Sequence, residues 1–240
     1  MCEIKLLFPV HMRTFFQTDT WQSGLEEIRV RVGQPIEFCY GSDNCYLIGK
    51  EKEQMFCSEK DYRRWEKDLY HATEADLREM LNYISNYSLY AYKEEIKQGY
   101  ITIEGGHRVG VAGQTVLVDG KIAGISPITF LNIRIAHEKC GCAKKILPLI
   151  RQKNSIYNTL ILSMPGAGKT TLLRDSIRAL SNGEAYGIRL KVCVVDERSE
   201  IAASFHGVPQ NDMGPRTDVS SVKTTPFRSS KLCLKIPENV

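Results

Sequence analysis

The chain reads as α/β in two parts: an N-terminal α+β domain over residues 1–141, then an incomplete α/β domain with a parallel sheet over residues 142–219. Three observations predict this. Short alternating apolar runs separated by Gly-rich turns fill residues 25–136, with helical periodicity between them, the pattern of helices packed on an antiparallel sheet. Past Cys142 the pattern becomes an apolar run, a Gly-rich loop and an amphipathic helix, as in parallel α/β units. The chain has 240 residues, 42% of them apolar, enough for one large or two small cores and too apolar for disorder.

The elements follow in order. IRVRV at 28–32, a Gly33-Gln34-Pro35 turn, IEFCY at 36–40 and CYLIG at 45–49 predict a small sheet. Residues 51–70 are charged and only loosely periodic, so a helix and a solvated excursion both stay open. Thr73 followed by Asp76 is a capping-box pattern, and Leu77, Met80, Leu81 and Ile84 share a helix face behind it. A second helix is expected from about Ser88 to Gln98, with Gly99 as its C-terminal cap. Strands resume at 100–104, 107–113, 114–118, 121–125 and 128–136, with hairpin signals at Gly105-Gly106 and Asp119-Gly120. Helical GCAKKILPLIRQK at 141–153 leads into NTLILSM at 158–164, an apolar run expected as a buried parallel strand.

Charge and cysteines narrow the function classes. The net charge is +4, but residues 223–240 hold Lys223, Arg228, Lys231 and Lys235 against Glu238, so the body is nearly neutral and gives no electrostatic reason to expect nucleic acid. No apolar run approaches the roughly 18 residues needed to cross a bilayer, and the N-terminus lacks the h-region of a signal peptide, so a cytoplasmic location is expected. The eight irregularly spaced cysteines are expected as reduced thiols. His137-x-x-Cys140-x-Cys142 is the one metal alternative, without a second ligand pair at zinc-finger spacing.

The chemistry gathers at residues 163–171, Ser163-Met164-Pro165-Gly166-Ala167-Gly168-Lys169-Thr170-Thr171. The phosphate-loop pattern G-x-x-x-x-G-K-[S/T] is literal only in its second half, because Ser163 stands where the pattern has Gly. Gly166 and Gly168 let backbone N–H groups approach phosphate oxygens at a helix N-terminus, Lys169 reaches the β- and γ-phosphates, and the Thr170 hydroxyl ligates Mg²⁺. ATP with Mg²⁺ is the expected ligand. Ser163 fits the loop if its φ is negative and is strained if φ is positive, which predicts weakened binding in the second case.

VCVV at 192–195 runs into Asp196-Glu197-Arg198, with Glu200 close by. An apolar strand ending in two acids is a Walker-B-like site, with Asp196 toward Mg²⁺ and Glu197 toward the attacking water; charges solvating a strand end are the alternative.

Several blocks together carry a family resemblance: EEIRVRVGQP at 26–35, SNYSLYAYKEEIKQGYITIEGGHRVGVAG at 85–113, LNIRIAHE at 131–138, the phosphate loop, and VVDERSEIA with GVPQNDMGPRTDV at 194–219. The chain resembles the stage III sporulation protein AA family, itself similar to secretion-type, AAA-like ATPases. The resemblance implies a RecA-like second domain and a homo-oligomeric ring, with a hexamer as the candidate size. It also implies membrane proteins of the sporulation channel as partners, at the mother-cell side of the forespore membrane. Gly166, Gly168, Lys169, Thr170 and Thr171 match the family's phosphate loop, and Asp196 and Glu197 its acidic box, with Lys169 and Glu197 as the catalytic pair. Arg108 and Arg134 are candidates to reach a neighbour's γ-phosphate, against a plain reading as surface arginines; His107 reads as a turn residue. After Val219 the family pattern stops. Residues 220–240, rich in Ser and Thr, are expected as a disordered tail of a truncated or frame-shifted product. The expected function is an ATP-hydrolysing motor subunit of the mother-cell-to-forespore channel, the alternative a nucleotide-dependent interaction module that does not turn ATP over.

Overall fold

A computed structural model describes residues 4–16, 18, 20–49, 55–97, 99–152, 155–164, 166–184, 187, 189–196, 199–220 and 232–233. The chain divides into two compact units, Met1–Ala136 and His137–Val240.

The first unit is built on a seven-stranded sheet of β1 (Glu27–Arg31), β2 (Glu37–Tyr40), β3 (Asp43–Leu47), β4 (Phe56–Ser58), β5 (Tyr100–Thr102), β6 (Arg108–Val118) and β7 (Lys121–Arg134). Its order is β4-β3-β2-β1-β7-β6-β5, and each neighbouring pair is antiparallel. Period-two alternation decides which face is covered. Ile28 and Val30 of β1 lie opposite Ile133 and Leu131 of β7, and all four are buried, while Arg29 and Arg31 point to the other face. The expected strand pieces at 107–118 and 121–136 merge into one long hairpin, β6 and β7, closed at Asp119-Gly120, where both residues have positive φ.

Helices α1 (Val10–Arg13), α2 (Tyr62–Trp65), α3 (Glu74–Ile84) and α4 (Lys93–Lys97) complete this unit. The capping box of α3 is present: Thr73 Oγ1 accepts the Asp76 N–H at 3.2 Å and Asp76 Oδ2 accepts the Thr73 N–H at 2.8 Å. Its face of Leu77, Met80, Leu81 and Ile84 is buried. An aromatic group fills the adjoining core, with ring centroids 4.8 Å apart for Phe8 and Phe16, 4.7 Å for Phe16 and Trp21, and 4.7 Å for Phe38 and Phe56. Each such ring contributes about 2–3 kcal/mol through burial. Within the open segment at 51–70, residues 56–58 form β4 and residues 59–68 form short helical turns.

The second unit holds α5 (Leu147–Ile150), β8 (Arg151–Gln152), β9 (Ser155–Ile156), α6 (Lys169–Asn182), β10 (Val192–Val195), β11 (Thr217–Ser220) and β12 (Leu232–Cys233). Helix formation over 141–153 is shorter than expected, because Pro148 sits in the first turn of α5 and has no N–H to continue the preceding turn. Among the described residues parallel pairing is limited to β10 with β11; β12 adds to the other edge of β10 in antiparallel sense, with Cys193 opposite Cys233.

One expectation is corrected here. The run at 158–164 is not a buried strand: residues 157–164 carry no strand pairing, and Leu160, Leu162 and Met164 are each 79% exposed. A strand forms only where a neighbour satisfies its N–H and C=O groups, and both edges of β10 are already taken by β11 and β12. Of the expected tail, Ser220 ends β11 and Leu232–Cys233 forms β12, while residues 221–231 and 234–240 lie outside the described residues. The observed fold is therefore mixed α/β with a large antiparallel sheet.

Candidate functional site: the loop and helix at residues 163–182

Helix α6 forms because its apolar positions recur at helical spacing and Gly residues bound it: Gly168 at φ 84° precedes it and Gly183 at φ 81° follows it. Ile177, Ala179 and Leu180 are buried against Val192 and Val194 of β10 and against Ile201, Ala202 and Met213; Leu172 and Leu173 pack at the margin. The helix face thus fixes the loop at its N-terminus relative to the end of β10.

Both loop glycines take left-handed backbone. Gly166 has φ 76° and Gly168 φ 84°, conformations that strain any residue with a Cβ. Ser163 is absent from the positive-φ residues, so its side chain sits there without that strain. Lys169 Nζ donates to Ser163 O at 3.0 Å, to Met164 O at 2.9 Å and to Ser163 Oγ at 3.3 Å, while Ser163 Oγ donates to Met164 O at 3.1 Å. The serine that departs from the pattern is thereby a partner of the lysine. Ser163, Met164, Gly166, Ala167 and Gly168 are exposed, and Lys169, Thr170 and Thr171 are half-buried; Pro165 lies outside the described residues.

At the strand end, backbone amides surround the first acid. Asp196 follows β10 directly and is only 1% exposed. Its Oδ1 accepts the Glu200 N–H at 3.0 Å, and its Oδ2 accepts those of Ile201 at 3.0 Å and Ala202 at 2.8 Å. A carboxylate holding three backbone amides organises a turn. Glu197 and Arg198 lie outside the described residues.

Sequence reasoning passed over the polar groups that join these parts. Arg174 of α6 donates from Nε to Ile201 O at 2.7 Å and from Nη2 to Glu200 O at 2.9 Å. Burial lowers its pKa, with Glu138 and Asp196 opposing that shift. One residue on, buried Asp175 accepts the Ala143 N–H at 2.7 Å and takes Arg178 at 2.8 Å. Burial alone would raise the Asp175 carboxyl, but the amides of Ala143 and Gly141 and the Arg178 guanidinium outweigh it and hold it below its ordinary value. The available signal was a pair of charged residues, Arg174-Asp175, inside an otherwise amphipathic helix.

The remaining candidates lie in the first unit. His107 is buried, and its Nδ1 accepts the Ala136 N–H at 3.0 Å, which ties down the chain after β7. Arg108 stacks over the Tyr100 ring at 4.3 Å and lies opposite Arg134 across the β6–β7 ladder. Among the described residues no group of three or more His, Cys, Asp or Glu side chains is arranged to hold a metal ion, and Cys142 instead donates to Thr171 O at 3.6 Å. Among them, too, no helix is long and apolar enough to cross a membrane.

Fold and site together define a mixed α/β protein with a large antiparallel sheet and, in its second unit, a Gly-Lys-Thr turn opening an amphipathic helix. The chain belongs to the family described as Sporulation stage III, protein AA, whose model matches residues 2–226. The match begins earlier and ends later than the sequence blocks alone suggest. The chain is 39% identical over 221 residues to the Stage III sporulation protein AA of Bacillus subtilis (strain 168), an alignment covering 91% of this chain and 65% of that protein, so the chain spans less than two thirds of that relative's length. Among solved structures it is similar to the Legionella pneumophila ATPase DotB, with TM-score 0.41 and 16% identity over 89% of this chain and 51% of that one, a likeness too distant to carry an argument.

Proposed function

We propose that the chain binds ATP with Mg²⁺ at residues 163–171 and hydrolyses it as a motor subunit of the mother-cell-to-forespore channel. The observation that carries this reading is the loop itself. Two positive-φ glycines lead into the N-terminus of α6, where first-turn amides have no intrahelical acceptor, and the Lys169 ammonium is held over the loop by three oxygens. Phosphate oxygens can replace those three oxygens as partners of the ammonium, so the residues present fit a nucleotide.

In this reading residues 142–219 make up the ATP-binding, RecA-like domain. Ser163, Met164, Pro165, Gly166, Ala167 and Gly168 line the phosphates, Thr170 and Thr171 follow at the helix start, and Thr170 offers its hydroxyl to Mg²⁺, which neutralises phosphate charge when bound. Glu197 orients the water. Membership of the sporulation family supports the cellular setting: a homo-oligomeric ring, a hexamer as the candidate size, in the cytoplasm against the mother-cell side of the forespore membrane, with channel membrane proteins as partners. Arg108 and Arg134, adjacent on β6 and β7, are candidates to reach a neighbour's γ-phosphate.

A second reading, a nucleotide-dependent interaction module without turnover, draws on one observation: the three bonds seen at the Asp196 carboxylate go to backbone amides, not toward the loop. Steady-state phosphate release separates the two. Turnover that vanishes in Lys169→Ala supports the motor; ATP binding without Lys169-dependent release supports the module; and no ATP binding at all rejects both.

A further inference from the structure

We infer that Asp196, Arg174 and Asn211 form a bracket that locks residues 199–202 to the helix carrying the phosphate loop, and that Asp196 serves the nucleotide site as a positioning residue through this bracket rather than as a metal ligand. The inference rests on nucleotide binding at residues 163–171.

The turn at 199–202 is held from three directions. Asp196 takes the N–H groups of Glu200, Ile201 and Ala202. Arg174, little more than one turn along α6 from Lys169, takes the carbonyls of Glu200 and Ile201. Buried Asn211 donates its Nδ2 to the same Ile201 carbonyl at 2.9 Å, and its own N–H goes to Ala202 O at 3.2 Å. The Ile201 carbonyl therefore accepts from two side chains belonging to separate segments. At either end of the turn a non-glycine residue stands in the left-handed region, Ser199 at φ 51° and Ala203 at φ 50°. Such backbone persists only where surrounding bonds over-determine it, and here those bonds are the bracket.

A bracket of this kind has a direction. Arg174 spends its fork on two carbonyls, so any displacement of α6 pulls directly on the backbone at Glu200. Conversely, among the described residues the strand end is linked to the helix that carries the phosphate loop through Arg174 and the apolar contacts of α6. Asp196 in this role has both oxygens committed, and replacing it with Asn puts an amide donor against backbone donors.

The test uses the full chain and three variants, Asp196→Asn, Arg174→Lys and Asn211→Ala, with ATP titrated in the presence of Mg²⁺ and again in EDTA, and with hydrogen exchange followed at the amides of residues 200–202. The expected result is exchange faster by about tenfold in Asp196→Asn, and ATP affinity reduced by about the same factor with and without Mg²⁺. Arg174→Lys, which keeps the charge and one donor, gives a smaller change in the same direction, and combining it with Asn211→Ala is less than additive. If Asp196→Asn does not fold, the other two variants carry the same comparison. A loss confined to the Mg²⁺ arm with amide protection unchanged makes Asp196 a metal ligand and overturns the bracket. Lost protection with ATP affinity unchanged in every variant overturns the positioning role. No ATP binding by the parent chain overturns the nucleotide reading itself, a result distinct from both.

Discussion

The two units bury their apolar residues by different means. In the first, seven strands satisfy one another and present one continuous face to α3 and the N-terminal aromatics, so Phe8, Phe16 and Phe38 are fully buried. In the second, the described three-stranded sheet packs on α6, and the apolar run from Leu160 to Met164 is left in solvent. Local sequence is similar in the two places. The difference is the number of ladder neighbours, and it teaches that a strand in this chain is decided by its partners.

The largest expected effect lies in the first unit. Phe38→Ala removes a ring that touches Phe8, Phe16, Trp21 and Phe56, and is expected to destabilise the chain by about 3–5 kcal/mol in urea denaturation. A loss under about 1 kcal/mol breaks the contrast between the units.

In the second unit, ligand rather than core is the larger lever. ATP at about 100 times its Kd is expected to stabilise the unit by about 2.7 kcal/mol, and Lys169→Ala to abolish most of that shift in a thermal melt. Next comes Gly214→Ala. Gly214 has φ 80°, and a Cβ there would lie 2.5 Å from Ser181 Cβ and 3.0 Å from Arg178 O, so a loss of about 2 kcal/mol is expected by the same melt.

Asp175 gives a pH signature. Its folded carboxyl lies below the ordinary 3.8, so the stability it contributes is complete above that value and is lost as pH falls through it toward the lowered folded value. Asp175→Asn is expected to cost about 1–2 kcal/mol at neutral pH and to flatten the acid limb below pH about 4, read from urea midpoints against pH. The smallest effect sharpens the comparison most: Leu162→Ser is expected to change stability by no more than about 0.5 kcal/mol, since the side chain is already in solvent. A loss of several kcal/mol would mean that residues 158–164 are a buried strand in solution.

Much of the fold is legible in the residues themselves. The capping box at Thr73 and Asp76, the hairpin at Asp119-Gly120, β10 and α6 are each written in a few neighbouring side chains, and each forms where the pattern puts it. The loop glycines are legible for the same reason, because positive φ is a local demand. What the pattern misses is non-local. Arg174 and Asn211 look like surface polar residues until the turn at 200–202 is brought to them, and β11 and β12 carry no strand signal beyond their pairing with β10.

Family membership and the Gly-Lys-Thr loop were therefore fixed by sequence alone, since motif, spacing and helix periodicity are properties of contiguous residues. The fate of residues 158–164 and the hydrogen-bond partners of Asp196 were decided only in the tertiary structure. An apolar run becomes a strand when neighbours supply its hydrogen bonds, and a carboxylate at a strand end binds whichever donors the fold delivers first; for Asp196 these are the amides of Glu200, Ile201 and Ala202.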